Sequence, residues 1–513
     1  MGAGPLAGRN CMTIGKGQLI EAEEKTSAAK VPSSEPQQVH FIFHRPHVLM
    51  LWAGAAVALF QIAYSSSQWS FLILGYPLCV IQLARASTAR QSFYLGLAVG
   101  LINAAVLLNC FWTIFGPSAL ALWCILAFWI GLVAALSHVS LVEFGKLRGA
   151  LLIPFLWTGL EYFRSEIYYL RFSWLNTGFA LSDSGIPHLF RWFGVYGVGF
   201  AAVAIAVLVL FIKSQKLILP AILFGPLAFL IILISQGYVL RQATSSGKPI
   251  QVAGMQLEFP ITAEAIAGLN KLVQQKPEAQ LLVLSEYTFD GEVPAEIKNW
   301  CRKNKRYLVV GGKEAALGNH FYNTAFVINP EGEIPFRQGK SVPIQFLKDG
   351  LPAPNQKLWE SPWGRIGICI CYDLSYTRVV DKLIRLGAQA ILVPTMDVSD
   401  WGRGQHELHA RVAPIRSAEY GVGIFRVASS GISQCTDRLG RVVAKAGFPG
   451  QGEIIFGNLA LAPGRGTLPL DRWLAPLSLG ITMTFVVWLI ITRYLRGSRA
   501  LSKSAAFERP HTG

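Results

Sequence analysis

The chain contains little charge for its length. Only 15% of its 513 residues are Asp, Glu, Lys or Arg, while 52% are hydrophobic, and the mean hydropathy is +0.40. Soluble domains carry about a quarter charged residues, so a chain that is soluble throughout is excluded. The length leaves room for about two to four domains. The sequence therefore predicts a multi-domain membrane protein.

Cysteine is also sparse, and its spacing is irregular. Neither a disulfide framework nor a zinc knuckle has this pattern, and the pair Cys369 and Cys371 lacks the second pair that a metal site requires. His406 and His409 stand three residues apart, where we expect helix packing or a helix surface. We therefore predict no metal, no organic cofactor and one reactive thiol. The eight cysteines are Cys11, Cys79, Cys110, Cys124, Cys301, Cys369, Cys371 and Cys435.

Residues 1–46 contain no apolar core. A cleavable signal peptide needs one, so we expect a disordered cytoplasmic tail instead. The net charge of +16 is spread along the chain and concentrates beside apolar segments. Nucleic-acid binding would require a compact basic module, so we expect no nucleic-acid partner. Anionic lipid head groups are the partners that this distribution favours.

Apolar segments dominate the first half of the chain. About 20 helical residues cross a hydrocarbon core; the segments at 69–84 and 149–163 are short, so a non-spanning role stays open for them. We predict a transmembrane bundle of seven helices at 47–240, a terminal transmembrane helix at 473–492 and a basic cytoplasmic tail at 493–513. The seven segments of the bundle are 47–64, 69–84, 93–115, 118–141, 149–163, 195–212 and 217–240.

Basic residues follow every second apolar segment, and the short alternate loops carry none. The positive-inside rule then predicts about eight spans, both termini in the cytoplasm, and residues 241–472 on the far side. The loop at 164–194 also falls on the far side, and we expect its Arg164, Arg171 and Arg191 either to face lipid phosphates or to be solvated. The basic residues behind this rule are Arg85, Arg90, Lys146, Arg148, Lys213, Lys216, Arg493, Arg496, Arg499 and Lys503.

Short Val- and Ile-rich runs alternate with helical stretches in the region 241–472. Such alternation predicts a layered α/β domain. The predicted helices are Ile261–Gln275, Ser375–Leu386 and Gly404–Tyr420. The predicted strands are Ile250–Leu257, Gln280–Ser285, Tyr307–Gly312, Asn323–Ile328, Ile366–Ile370, Ala388–Pro394 and Gly423–Ala428.

Three residues of this domain are candidates for chemistry. Cys371 ends a strand, and Ser375 can cap the helix that follows. A thiol at such a strand-to-helix turn can be exposed, and backbone N–H groups at the helix start can stabilise a thiolate or an oxyanion. Glu286 follows a buried strand and is a candidate general base, and Lys340 is a candidate cation for a thiolate or oxyanion. Each also has a structural interpretation: a buried cysteine, a solvated glutamate at a strand end and a surface lysine.

The order Glu286, Lys340, Cys371 resembles the signature of the nitrilase superfamily. The matching stretches include Leu284-Ser-Glu-Tyr287 and Gly367-Ile-Cys-Ile-Cys-Tyr-Asp373, and Ala410–Glu419 is similar to the superfamily's R-x-R-A-x-E helix. The resemblance implies an extracytoplasmic α/β domain, a nitrilase-type αββα sandwich. It also implies a Glu–Lys–Cys triad of base, oxyanion stabiliser and nucleophile.

The membrane half resembles the apolipoprotein N-acyltransferases, the envelope branch of that superfamily. The resemblance rests on Trp157-Thr-Gly-Leu-Glu-Tyr-Phe-Arg164, Phe172-Ser-Trp174 and Gly194-Val-Tyr-Gly-Val-Gly-Phe200. It implies transfer of an acyl chain from a phospholipid donor, through a cysteine thioester, to the N-terminal amine of a diacylglyceryl-cysteine lipoprotein. It also implies a bacterial inner membrane with the catalytic domain on the periplasmic side. Candidate supporting or substrate-binding residues are Tyr372, Asp373, Glu161, Arg164 and Trp174.

The sequence departs from this family near the lysine. Pro343 comes only three residues after Lys340, and the second glutamate of the family motif is missing; Asp349 is a candidate replacement. Two alternatives therefore stay open. One is a membrane-anchored nitrilase-family amide hydrolase that uses the same three residues with water, and the other is a binding module without catalysis. Nothing in the sequence determines the oligomeric state.

Overall fold

The computed structural model describes residues 45–182, 185–212, 249–450, 452–464 and 466–507, together with Met1. Most of the predicted N-terminal tail and the predicted apolar segment at 217–240 lie outside the described residues, as does the end of the basic tail. The described chain divides into an α-helical part before residue 212, an α/β domain from residue 249, and a final helix.

Apolar helices make up the first part. Within the described ranges, five helices of the protein are long and apolar enough to cross a membrane, and a shorter apolar stretch covers Ser67–Leu83. The helices of this part are α1 (Pro46–Ser65), α2 (Gly75–Leu83), α3 (Ala89–Leu107), α4 (Cys110–Phe115), α5 (Ala119–Tyr162) and α6 (Pro187–Ile212).

The predicted segments at 118–141 and 149–163 are the two limbs of α5. They are separated at Gly145, whose φ of 73° is not helical. The Ser140 hydroxyl donates to the Gly149 carbonyl at 2.8 Å. Nine residues of straight helix would separate these groups by about 13 Å, so the chain folds back at Gly145 and the limbs form a helical hairpin.

Two of the predicted single segments are interrupted. The segment at 69–84 is a 3₁₀ helix over Ser67–Leu74 that continues as α2. The segment at 93–115 is broken at Leu108, whose φ of −112° and ψ of 39° end α3 before α4 begins. Both breaks occur within apolar sequence, so hydrophobicity alone gave no signal for them.

Twelve strands form two six-stranded sheets in the described part of the α/β domain. The strand orders are β12-β1-β2-β3-β4-β5 and β11-β10-β9-β8-β7-β6. Central neighbours β1–β2–β3 and β7–β8–β9 run parallel, and the outer pairs are antiparallel. The strands are β1 (Pro249–Met255), β2 (Leu281–Val283), β3 (Tyr307–Ala315), β4 (Phe321–Ile328), β5 (Phe336–Gly339), β6 (Leu358–Ser361), β7 (Gly364–Ile368), β8 (Ala390–Thr395), β9 (Gly423–Ala428), β10 (Ser433–Thr436), β11 (Val442–Ala446) and β12 (Ile454–Ala460).

Each face of the first sheet is buried by a different partner. Successive side chains of a strand point to opposite faces. Leu281 and Val283 of β2 pack with residues of the second sheet, whereas Leu282 packs with Leu269 and Ile297 of two outer helices. This confirms the predicted α/β domain with two sheets. Its helices are α7 (Thr262–Gln275), α8 (Ala295–Asn304), α9 (Thr377–Leu386), α10 (Gly402–Ala410) and α11 (Val412–Tyr420).

The four edge strands and their inner neighbour β10 were not predicted from the sequence, and two helices were predicted as one. β5, β6, β10, β11 and β12 are short or carry Gly, Gln, Asn or Lys, so their apolar alternation is weak. The predicted helix Gly404–Tyr420 is α10 and α11, separated at Arg411. Pro414 has no N–H to donate to the Ala410 carbonyl, which accounts for the break.

A buried network of charges joins the last helix, α12 (Asp471–Phe507), to the α/β domain. Arg472 forms ion pairs with Asp381 (2.9 Å), Glu419 (3.1 Å) and Asp471 (2.6 Å). Arg416 pairs with Glu419 at 2.6 Å. A buried ion pair is costly to break, because the remaining charge stays desolvated, so this network fixes α12 against the domain.

The same carboxylates cap a membrane helix. Gly194 has a φ of 69° and interrupts α6, so a new helical limb begins at Val195. The Val195 N–H donates to Glu419 at 2.8 Å, and the Tyr196 N–H donates to Asp471 at 3.0 Å. Carboxylates at a helix N-terminus satisfy free N–H groups and oppose the helix dipole. The α/β domain and α12 thus both hold the start of this limb.

We predict that Gly194→Ala destabilises the protein. A Cβ on Gly194 would lie 2.1 Å from the Asp471 carboxylate, and a left-handed φ costs a non-glycine residue about 1–2 kcal/mol. The apparent melting temperature of the purified protein in detergent measures the effect. Gly402→Ala is the matched control, since Gly402 has a φ of 81° and nothing within 4 Å of its Cβ position. An equal loss in both variants would show that backbone strain alone acts, and would contradict the capping role.

Candidate active site

The nucleophile candidate lies in a strained turn. Cys371 has a φ of 51°, a left-handed conformation that is rare outside glycine and concentrates at functional sites. The turn follows β7, and Cys371–Ser375 form a 3₁₀ helix. The thiol is buried and its Sγ lies 3.7 Å from the Met396 carbonyl. The end of a strand therefore presents the sulfur to the interior of a site.

Asp373 connects this turn to the segment after Lys340. Its carboxylate accepts from the backbone N–H groups of Ser341 (3.0 Å), Val342 (2.7 Å) and Ile370 (3.3 Å). Burial raises the pKa of Asp373 to about 6 despite these N–H donors. Asp373 is thus a positioning residue that holds two segments of the site together.

The helix cap predicted at Ser375 is wrong. Helix α9 begins at Thr377, and the Ser375 hydroxyl accepts from the indole Nε1 of Trp174 at 3.0 Å. The Glu166 carboxylate takes the capping role, since Thr377 donates to it through both its N–H (3.1 Å) and its hydroxyl (3.0 Å). Tertiary contacts with the membrane part replace the local cap.

The structure brings Glu286 and Lys340 together. Glu286 Oε1 lies 2.8 Å from Lys340 Nζ and accepts from Asn323 Nδ2 at 2.6 Å. Its Oε2 accepts from the Met396 N–H at 2.7 Å, next to the carbonyl that contacts the thiol. Glu286 follows β2 and Lys340 follows β5, so the sheet edge positions both side chains, and both are buried.

Asp349 completes this cluster. Its Oδ2 lies 2.7 Å from Lys340 Nζ, and its Oδ1 accepts from Tyr287 (2.8 Å) and Asn323 (2.7 Å). The Ile344 N–H donates to it at 2.7 Å. A second carboxylate therefore contacts the lysine even though the family's glutamate motif is missing, and it also holds the loop that follows Lys340.

Burial and the carboxylates set the protonation of the cluster. Burial, and next the Glu286 carboxylate, raise the pKa of the Cys371 thiol well above its usual range. Burial also raises the pKa of Glu286, partly opposed by Lys340. Burial opposes the charge of Lys340, but Asp349 and Glu286 outweigh it and raise the pKa of the amine. The thiol is therefore neutral at rest and stands beside the Glu286 carboxyl group and a charged lysine.

An apolar cavity of about 120 Å³ opens on Cys371. Two parts of the chain line it: helices α4 and α5 with the loop that follows α5, and the α/β domain. The residues from the membrane side are Cys110, Phe111, Ile114, Phe115, Leu122, Ile125, Leu126, Leu170, Arg171, Phe172 and Trp174. Those from the domain are Ile344, Gln345, Phe346, Leu347, Cys371, Tyr372, Asp397, Trp401, Gln405 and His409.

Of the five supporting candidates, Trp174 and Tyr372 border the thiol. Their rings meet edge-on with centroids 5.6 Å apart, and the Tyr372 hydroxyl donates to the Arg171 carbonyl at 3.0 Å. Glu161 and Arg164 do not line the cavity. Glu161 accepts from the N–H and hydroxyl of Thr177, each at 3.0 Å, and Arg164 donates to Asn176. They support the loop that carries Trp174.

The structure adds a buried network that the sequence analysis did not assign. Asp397 bonds His409 Nδ1 at 2.8 Å, Gln405 at 3.1 Å and Arg426. His409 stacks on Trp174 with centroids 4.7 Å apart. Burial would raise the pKa of Asp397, but His409 and Arg426 hold it well below its usual value. Both histidines are buried, but His409 lies at the cavity wall and His406 stacks on Phe448; the i, i+3 spacing did not indicate these different locations.

No group of three His, Cys, Asp or Glu side chains within the described ranges is arranged to hold a metal ion. The charged groups beside the thiol are occupied by one another: Lys340 by two carboxylates, and Asp397 by His409 and Arg426. The arrangement is suited to nucleophilic chemistry in which a carboxylate takes a proton from a thiol.

Comparisons with known proteins agree with this architecture. A family profile described as apolipoprotein N-acyltransferase N-terminal domain matches residues 53–208, and a carbon-nitrogen hydrolase profile matches residues 258–464. The chain is 23% identical over 470 residues to the apolipoprotein N-acyltransferase of Shewanella oneidensis, which covers 77% of this chain and 86% of that protein. It is 24% identical over 360 residues to that of Geobacter metallireducens, covering 59% and 67%.

Among solved structures, Saccharomyces cerevisiae Nit3, a member of branch 10 of the nitrilase superfamily, aligns at 22% identity and a TM-score of 0.37. The alignment covers 42% of this chain and 91% of Nit3. One chain therefore combines an apolipoprotein N-acyltransferase N-terminal domain with a carbon-nitrogen hydrolase domain, and it is similar to apolipoprotein N-acyltransferases over most of its length.

Proposed function

We propose that this protein is a membrane N-acyltransferase. It moves a fatty acyl chain from a phospholipid, through a thioester on Cys371, to the N-terminal amine of a diacylglyceryl-cysteine lipoprotein. One observation carries the proposal: the thiol beside Glu286 and Lys340 opens on an apolar cavity that membrane helices and the α/β domain line together. An acyl chain fits this lining, whereas a small polar amide has little to bind there.

In the first half-reaction, Glu286 takes the thiol proton and Cys371 Sγ attacks the ester carbonyl of the lipid. Lys340 and backbone N–H groups near Tyr372 stabilise the oxyanion that forms. The carbon–oxygen bond breaks, the proton held by Glu286 passes to the alcohol, and a lysophospholipid leaves. The raised pKa of Glu286 suits a residue that accepts and returns a proton.

In the second half-reaction, the lipoprotein amine attacks the thioester carbonyl. Glu286 takes a proton from the amine and returns it to the sulfur, so an amide forms and the free thiol is restored. Water competes with the amine at this step. The segment 341–352, which we propose as a flap, carries Phe346, whose ring meets Phe115 of α4 edge-on with centroids 6.4 Å apart. Gln345 of the same segment donates to the Tyr169 carbonyl. These contacts support a role in closing the cavity against water.

The location that we propose is a bacterial inner membrane with the α/β domain on the periplasmic side. Basic segments meet at the end of the bundle away from this domain. Arg496 pairs with Glu143 at 3.3 Å, close to the Gly145 turn and its basic residues. His138 Nδ1 lies 2.9 Å from the Ala84 carbonyl, beside Arg85. Such a basic end supports a cytoplasmic face under the positive-inside rule.

The first prediction concerns the acyl-enzyme. Intact-mass spectrometry of the purified protein with phospholipid is expected to show an acyl-sized adduct that is absent from Cys371→Ala and is discharged by a diacylglyceryl-cysteine peptide. Cys301→Ala is the control, since Cys301 is a buried thiol of α8 outside the cavity. An adduct discharged by water alone would favour the amide hydrolase, and no adduct at all would favour a binding module.

The second prediction concerns water exclusion. Phe346→Ala is expected to raise the ratio of thioester hydrolysis to amine transfer severalfold, because Phe346 closes the cavity against α4. Acyl-enzyme discharge with and without the acceptor peptide measures this ratio. Leu317→Ala, at a more exposed apolar residue on the β3–β4 loop, is expected to leave it unchanged. A lower rate with an unchanged ratio would contradict the flap.

The third prediction concerns pH. After burial, the negative charge of Asp349 contributes to the raised pKa of Glu286, so Asp349→Asn is expected to lower that pKa. The acidic limb of the acylation rate should then move to lower pH, while the rate itself falls because Lys340 loses a partner. The pH profile of adduct formation measures both effects. Asp290→Asn, at an exposed carboxylate, serves as the control. If the acidic limb of Asp349→Asn stays in place or moves to higher pH, the charge of Asp349 does not raise the pKa of Glu286.

A further inference from the structure

The three arginines of the region 164–194, which the sequence predicted as a loop, have different surroundings. Arg164 and Arg191 are buried within the protein. Neither is solvated and neither faces lipid phosphates, so both alternatives expected from the sequence are wrong for these two arginines. Arg171 differs: its side chain is half-buried and lines the apolar cavity. Its Nε donates to the Tyr168 carbonyl at 3.2 Å, which leaves the two terminal nitrogens of the guanidinium without a hydrogen-bond partner among the described residues.

A second arginine approaches from the α/β domain. Arg378, in the first turn of α9, is exposed, and its guanidinium lies 5.6 Å from the centroid of the Tyr376 ring. Partial burial, and next the charge of Arg171, lower the pKa of Arg378 from its usual value. Two arginines from different parts of the chain therefore lie on either side of the adjoining rings of Tyr372 and Tyr376.

Within the described ranges, neither Arg171 nor Arg378 forms an ion pair. The carboxylates of Glu166 and Asp373 only partly offset the lowered pKa of Arg378. Both are hydrogen-bonded elsewhere: Glu166 accepts from Thr377 and Tyr196, and Asp373 accepts from the N–H groups beside Lys340. Like charges at a partly buried boundary are unfavourable, and an anion between them would convert this repulsion into attraction.

The pair stands next to the nucleophile. The Tyr372 hydroxyl bonds the Arg171 carbonyl at 3.0 Å, and Tyr372 is the neighbour of Cys371 in sequence. The rings of Tyr372 and Tyr376 meet edge-on at 5.0 Å, and Arg378 lies over Tyr376. Of the lysines and arginines that the structure describes, Arg171 alone contributes to the cavity lining.

We propose that Arg171 and Arg378 bind the phosphate of the phospholipid donor while its acyl chain occupies the cavity. Guanidinium groups match phosphate oxygens with paired hydrogen bonds. In a phospholipid the glycerol backbone joins the phosphate to the reacting ester by a few bonds, so a phosphate site must lie beside the nucleophile, as this pair does. The inference rests on the proposed function and adds to it the site that selects a phosphorylated donor over a neutral acylglycerol.

Binding tests this proposal without any turnover. In the full chain carrying Cys371→Ala, native mass spectrometry in detergent compares a phospholipid with the diacylglycerol that has the same acyl chains. Adding Arg171→Gln and Arg378→Gln together is expected to weaken phospholipid binding about tenfold or more, the loss that charge-assisted hydrogen bonds imply. Diacylglycerol binding is expected to stay the same. Arg385→Gln, exposed in the last turn of α9, is the matched control and should change neither.

Three outcomes would overturn the proposal. An equal loss for both lipids would show that the arginines only support the fold, and unchanged phospholipid binding would show that they do not contact the phosphate. If inorganic phosphate alone binds as tightly as the phospholipid, the pair is a site for free anions. Because the tested chain cannot be acylated, absence of an acyl adduct on the wild type would refute the proposed function separately from this result.

Discussion

The position of the membrane helices against the α/β domain depends on the ion pairs of Arg472. It binds Asp381 of α9, Glu419 of α11 and its own neighbour Asp471, and all of these groups are buried. Two of these carboxylates also bind the first N–H groups of the α6 limb. Loss of one member would leave unpaired charge in a desolvated region, so the junction is held in one arrangement.

The candidate active site lies next to this junction, and its geometry depends on contacts from both parts of the chain. Trp174 comes from the membrane side and bonds Ser375, one turn after the nucleophile, while it stacks on His409. The same loop places Arg171 against Tyr372. A shift of the domain relative to the bundle would therefore alter both the wall of the cavity and the surroundings of the thiol, so the shape of the cavity and the geometry around the thiol are coupled.

Anchoring the site at the membrane has a physical rationale. Extracting an acyl chain into water costs about 0.8 kcal/mol for each CH₂ group, and a soluble enzyme would have to meet that cost for every donor. In the proposed reaction, a cavity lined by α4 and α5 on one side and by the thiol on the other avoids this cost. The buried carboxylates near Lys340 keep the lysine charged and burial keeps the thiol neutral, so the resting sulfur carries no charge.

The sequence by itself determined the elements whose signals are local. Hydrophobic runs predicted most of the apolar helices, Val- and Ile-rich runs predicted central strands such as β9, found at the bounds predicted for it, and the order of Glu286, Lys340 and Cys371 predicted which side chains would meet. Only the tertiary structure decided the rest. The edge strands have weak apolar alternation, and pairing with neighbouring strands holds them in place. The fold-back at Gly145 needed a single left-handed residue. The Ser375 hydroxyl bonds Trp174 instead of capping a helix. Asp349, His409 and the pair of Arg171 and Arg378 acquire their surroundings from residues distant in sequence, and no local pattern encodes such contacts.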